Sequence, residues 1–144
     1  MIGTTDKIKQ WLCYQDKTKL FQIKEYKSRK TDAQRRYAWE LITQIANELR
    51  ISKEEVYLNM IYNYSQSEIV SMLSSVNPKK WFKYYETLQL VVSDNKEFIE
   101  YRVYKGISEL DKKEMMIFID GIVQECENLG IPTLTQEEIK RMGI

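Results

Sequence analysis

A chain of 144 residues, 43% hydrophobic and 30% charged, suffices for one domain, residues 1–144, with a core that folds unaided. Twenty-two basic residues against 21 acidic ones give a net charge of +1, so affinity for a polyanion has to come from local clustering. No histidine is present, which excludes the Ser/His/Asp triad, histidine general bases and histidine-dependent nucleases. Two distant cysteines, Cys13 and Cys126, cannot make a zinc cluster without it.

No glycine-rich phosphate loop is present, and nothing in the chain calls for a cofactor. No run approaches the roughly 20 apolar residues of a membrane span, and the start MIGTTDKIKQWLCYQD lacks the apolar stretch of a signal peptide. The expectation is a cytoplasmic protein with reduced, partly buried thiols and no contact with a membrane.

In chain order, Ile8, Trp11 and Leu12 are spaced as one turn of helix. From Lys19 to Tyr26 the pattern alternates, with Phe21 and Ile23 on one side and Gln22 and Lys24 on the other, and predicts a half-buried strand. Thr31 and Gln34 then form a capping box that starts a helix near Asp32. Ala38, Leu41, Ile42, Ile45, Ala46 and Leu49 recur at three and four, an apolar arc that belongs in a core.

Arg29, Lys30, Arg35 and Arg36 crowd the first turn of that helix, where the macrodipole disfavours each cation by about 0.3–1 kcal/mol. Stability alone selects Asp and Glu there, and Asp32 offsets only part of the charge. Four cations beside free backbone N–H groups make a site for phosphate or another anion. The plain alternative is a solvated basic turn, and only the unfavourable placement in the dipole tilts the balance towards function.

Ser52 and Glu55 predict a second capping box ahead of Val56, Tyr57, Met60, Ile61 and Tyr64, hence an antiparallel helix pair. At helical spacing Tyr57, Tyr62 and Tyr64 are assigned to packing and not to base stacking. Residues 65–76 suit either a helix or a strand, and their surroundings favour the strand. Asn77 and Pro78 then open a short helix. Its sequence interleaves Lys79, Lys80 and Lys83 with Trp81, Phe82, Tyr84 and Tyr85. Charge that tracks a backbone beside rings that stack on bases, for about 1–3 kcal/mol per base, suits a single-strand binder. The competing assignment docks the rings on the sheet and leaves the lysines in water.

Leu88, Leu90 and Val92 alternate, SDNKE has turn chemistry, and Ile99, Tyr101 and Val103 alternate again, which predicts a hairpin. A last long helix runs from about Asp111 to Leu129 with Met115, Phe118, Ile119, Ile122, Val123 and Cys126 buried, stopped by Gly130 and Pro132. Thr135 and Glu138 cap a short helix that ends near Met142. Strand, two helices, strands, helix is the order of an α+β domain: a small, mainly antiparallel sheet with helices packed on one side.

The stretch KEYKSRKTDAQRRYAWELITQIANELRISKEEVYLNMI resembles the NinB-like family of phage recombination proteins, with Thr31, Asp32, Ala33 and Gln34 at the helix opening and Tyr37 and Trp39 in the aromatic turn behind it. The tail SELDKKEMMIFIDGIVQECENLGIPTLTQEEIKRM is similar to the C-terminal part of relatives from phages of Gram-positive bacteria. The resemblance implies a homodimeric, DNA-binding accessory factor in a bacterial host. It further implies a mediator that binds single-stranded DNA and helps exchange a single-strand-binding protein for a recombinase.

The reading that combines residues and resemblance is non-catalytic binding of single-stranded or branched DNA. Arg29, Lys30, Arg35 and Arg36 hold phosphates, Lys79, Lys80 and Lys83 extend the track, and Trp81 stacks. Two alternatives stand beside it. One is a structure-specific nuclease with Asp111, Glu114 and Asp120 on magnesium. The other is a protein adaptor that docks through the aromatic surface near Trp81 and makes no DNA contact.

Overall fold

A computed structural model describes residues 1–144. Its elements are α1 (Thr5–Cys13), α2 (Asp32–Leu49), α3 (Lys53–Tyr64), β1 (Ser67–Leu73), β2 (Tyr85–Ser93), β3 (Lys96–Tyr104), α4 (Lys112–Asn128) and α5 (Gln136–Arg141), with single 3-10 turns at Pro78–Lys80 and Ile107–Glu109. The architecture is α+β, with a three-stranded antiparallel sheet in the order β1-β3-β2. No helix is long and apolar enough to cross a membrane.

Helices α2, α3 and α4 pack on one another, and their apolar stripes make the core. Ala38, Leu41, Ile42, Ile45 and Ala46 of α2 meet Val56, Met60 and Ile61 of α3 and Met115, Phe118, Ile119, Ile122 and Cys126 of α4. Leu49, expected in that arc, is 47% exposed, because it sits in the last turn beside Arg50, which ends the helix in the left-handed region at φ 57°. The capping boxes at Thr31/Gln34 and Asp111/Glu114 are both reciprocal. At α3 only half the motif forms: Ser52 Oγ accepts from the Glu55 N–H, and Glu55 does not reach back.

The sheet joins this core through one end. Tyr104 is buried in the helical cluster, and its ring meets that of Tyr62 edge-on at 4.9 Å. Asp94 and Asn95 take φ 50° and 60°, the two-residue turn that matches the twist of a hairpin. Strands β1 and β2 both run antiparallel to β3, which lies between them, so the connection 74–84 has to cross β3. The helices occupy the Tyr104 face and leave the opposite face, where Tyr101 is buried, for that crossing.

Two predicted elements are corrected. Lys19–Tyr26 forms no strand: the segment has no ladder partner and is exposed throughout, and the only bridge near it joins Arg29 to Asp111. The first element is therefore α1, and the one backbone pairing ahead of α2 is that isolated bridge. The Lys/aromatic helix after Asn77 shrinks to one 3-10 turn, because β2 already begins at Tyr85 and takes Tyr85 into the ladder opposite Val103.

Candidate functional site

Two clefts adjoin on the side of the molecule where α2, α4 and the end of β3 meet. The larger, of about 940 Å³, carries Trp39, Tyr57, Trp81, Phe82 and Tyr84 on its walls. The smaller, of about 420 Å³, is lined by Arg29, Lys30, Arg35 and Asp111 among others. They share Lys27, Lys105, Ser108, Glu109 and Glu114, so they form one groove with an aromatic end and a basic end.

The aromatic end is built from helix surface. Trp39 of α2 stacks on Tyr57 of α3, with ring centres 4.9 Å apart and planes 28° from parallel. Tyr84 stands edge-on to Tyr57 at 6.0 Å, and Lys83 Nζ lies 5.4 Å from the Tyr84 ring centre. The Tyr57 hydroxyl accepts the Ile107 N–H at 3.1 Å, and desolvation pushes its pKa up to about 12, so it stays neutral. Gly106 permits this closeness, since a Cβ there would come within 3.0 Å of the Tyr84 ring. Trp81 is 70% exposed and presents its ring to solvent at the rim.

The basic end is fixed by the two helix caps. Gln34, the only buried polar side chain, accepts from the Thr31 N–H at 3.0 Å and donates to the Lys112 carbonyl at 3.3 Å, which joins the first turns of α2 and α4. Lys30 Nζ donates to the carbonyls of Ser108 and Leu110, both at 3.2 Å. Arg35 pairs with Asp32 at 3.0 Å, an exposed i,i+3 pair that competes weakly with a phosphate. Lys27 approaches Asp111 at 3.9 Å, and Lys105 is held by Glu114 at 2.9 Å, which raises its pKa. The side chains of Arg29 and Arg36 have no ion-pair or hydrogen-bond partner, and both residues are exposed.

Of the eight expected binding residues, the groove brings together Arg29, Lys30, Arg35, Trp81 and Lys83. Arg36, Lys79 and Lys80 line neither cleft. Arg36 lies about 100° further round α2 than Arg35. Lys79 and Lys80 sit in the turn before Trp81, exposed on the way to the groove. The first turn of α2 is also less free than its charge implies, since Lys30 and Arg35 already have partners.

Sequence reasoning missed Trp39 and Tyr57, which it placed in a family motif and in the core. Their i and i+18 separation on two helices carries no periodic signal. It also missed Lys27, which stands just ahead of the cations it did single out, and Lys105, which follows β3 far away in sequence; both line the two clefts. Asp111 and Glu114 cap α4 reciprocally, and Glu114 also holds Lys105, so both carboxylates have partners. Asp120, two turns further along α4, has its pKa raised by desolvation. Compared with protein-family models, with curated proteins and with solved structures, the chain matches none.

Proposed function

We propose that the groove binds single-stranded or branched DNA without sequence preference and without catalysis. The observation that carries this reading is the continuity of the two clefts. A strand whose phosphates lie on Arg29, Lys30 and Arg35 has Trp81, Trp39 and Tyr84 within the same groove for its bases. Arg36, Lys79 and Lys80 flank that path as exposed charge. Glu109 and Glu114 on the shared wall disfavour phosphate there, so the backbone stays at the basic end and the bases turn towards the rings. A role as an accessory factor in phage-type recombination, acting with a single-strand-binding protein and a recombinase, is supported by the family resemblance alone.

The test is titration of an unlabelled oligonucleotide monitored by tryptophan fluorescence, across salt. Each phosphate neutralised on a single strand contributes about −0.7 to the log-log slope, so three contacts give about −2. Trp81→Ala is expected to cost about 1–3 kcal/mol, the value of one stacked base. Arg35→Glu together with Arg36→Glu removes one of those three contacts and reverses charge beside it, so the slope should become shallower, to about −1.4 or less in magnitude. Salt-insensitive binding, or affinity untouched by all three substitutions, overturns the proposal. Recovery of shortened DNA in the presence of magnesium overturns its non-catalytic part.

A further inference from the structure

The segment that leads into α2 has the alternation of a strand and no strand to lie beside. Phe21 and Ile23 alternate with Gln22 and Lys24, yet every residue from Asp16 to Arg29 is exposed, and Leu20 fully so. Helix α1, with Ile8, Trp11 and Leu12 on one side, buries no residue, and its aromatic contact is the edge-on pair Trp11–Phe21 within the same arm. Twenty-odd residues with this much apolar surface in water are an incomplete structure.

The sheet offers the complement. β1 pairs only with β3, so its outer edge is free. It runs seven residues without a bulge and has Glu68 as its sole charge, which leaves it without the usual defences of an edge strand. The outer edge of β2 is interrupted instead, by the irregularity between Thr87 and Gln89. Ile69 and Leu73 of β1 are 59% and 43% exposed on one face with Ser71 between them, and Phe21 and Ile23 likewise share one face of the alternating arm. Charge agrees with this match: the arm carries Lys19, Lys24 and Lys27 against Glu25, and β1 with β3 carries Glu68, Glu97 and Glu100 against Lys96 and Arg102. Lys27 lines the aromatic cleft together with Gln66, Ser67 and Glu68, so the arm leaves the body beside the start of β1, and still it makes no ladder with its own edge.

We infer that residues 19–26 of one copy add as a fourth strand to the free β1 edge of a second copy, and that the exchange is reciprocal, giving a twofold dimer. Main-chain hydrogen bonds supply the pairing, and Phe21 and Ile23 pack on the face of Ile69 and Leu73, one directly opposite and the other diagonally. The inference is independent of the DNA reading, since the pairing needs no nucleic acid.

Sedimentation equilibrium of the full chain without DNA tests it, with Ile23→Pro and Ile69→Lys beside the parent. Ile23→Pro removes an N–H from the arm, and Ile69→Lys puts a charge in the face that receives it. Both sites are exposed, so circular dichroism melts of the variants should match the parent at concentrations low enough for all three chains to be monomeric. The expected result is a concentration-dependent dimer whose dissociation constant rises at least about tenfold in each variant. Hydrogen exchange should show amides 19–26 protected at dimer-forming concentrations and open on dilution. A chain that is monomeric at all concentrations overturns the inference, as does a dimer indifferent to both substitutions. A monomer with concentration-independent protection of 19–26 overturns it too, by placing the arm on its own β1.

Discussion

Gln34→Ala is the substitution that most directly tests how the basic end of the groove is held. The side chain is fully buried and joins two helix starts, accepting from the Thr31 N–H and donating to the Lys112 carbonyl. Truncation removes both hydrogen bonds, each about 0.5–1.5 kcal/mol net, and leaves a half-buried N–H and carbonyl unsatisfied, so the expected loss is about 2–4 kcal/mol. With 144 residues and about 2.1 cal/mol/K of unfolding entropy per residue, that loss lowers the melting temperature by about 7–13 °C. Urea melts followed by far-ultraviolet circular dichroism would show the midpoint falling at constant slope. Gln34→Glu separates the two bonds. The carboxylate still accepts from Thr31, but it faces the Lys112 carbonyl without a proton, which raises its folded pKa above the ordinary carboxyl value. The missing donor bond is thus restored below that ordinary value and lost as pH rises through the folded one. A loss under about 1 kcal/mol for Gln34→Ala, or a Gln34→Glu deficit that does not grow with pH, refutes the joint as drawn.

Gly121 lies against the Tyr64 ring so closely that a Cβ would overlap it, and Tyr64 is held in turn by its hydroxyl on Glu125. Alanine gains about 1 kcal/mol of helix propensity there and loses about 1–3 kcal/mol to overpacking, so Gly121→Ala should lower the melting temperature instead of raising it. Burial pushes the Cys126 thiol up to about 11 while Cys13 is exposed, so a thiol reagent should titrate one cysteine in the native protein and two in denaturant. The Glu114 N–H that Asp111 accepts, followed by the Glu114 side chain and Lys27, holds the Asp111 carboxyl below its ordinary pKa. Its contribution is present above the unfolded value and lost as pH falls through the folded one. Asp111→Asn keeps the cap acceptor without the titration, so the difference in melting temperature between parent and variant should shrink from pH 6 towards about pH 3.

Local signals carried most of the fold. The capping box at Thr31, the apolar arcs of α2 and α4 and the SDNKE turn each depend on residues within one or two turns of one another, and each forms where its pattern places it, whereas of the box expected at Ser52 only the Ser52 half forms. The strand expected at Lys19–Tyr26 failed because alternation states a preference for a pleated surface without supplying a partner, and no strand of its own chain pairs with it. The groove was legible at its basic end, where four cations cluster in sequence. Its aromatic end was legible only at Trp81 and Lys83, because Trp39 and Tyr57 come from two helices and each alone looks like packing.

The placement of acids within the groove sets which direction a ligand can take through it. Lys105 is held by Glu114, Lys27 leans towards Asp111, and Lys83 rests over Tyr84, so the cations nearest the rings are already engaged. Arg29 stands without a partner at the far end, and Arg35 has only an exposed pair with Asp32 that a phosphate can displace at a cost of about 0–1 kcal/mol. A polyanion therefore gains most at the α2 opening and least beside the shared acidic wall. A ligand that is charged along one side and flat and aromatic along the other satisfies both ends, and a polynucleotide with unpaired bases has that construction. A duplex keeps its bases stacked inward and offers nothing to Trp81 or Trp39. The same oligonucleotide presented as a fully paired duplex should thus remain salt-dependent, with a slope of about −0.9 per phosphate against about −0.7 for the single strand, and lose the tryptophan quenching. Equal quenching by single strand and duplex would detach the rings from the basic end and leave a phosphate site alone.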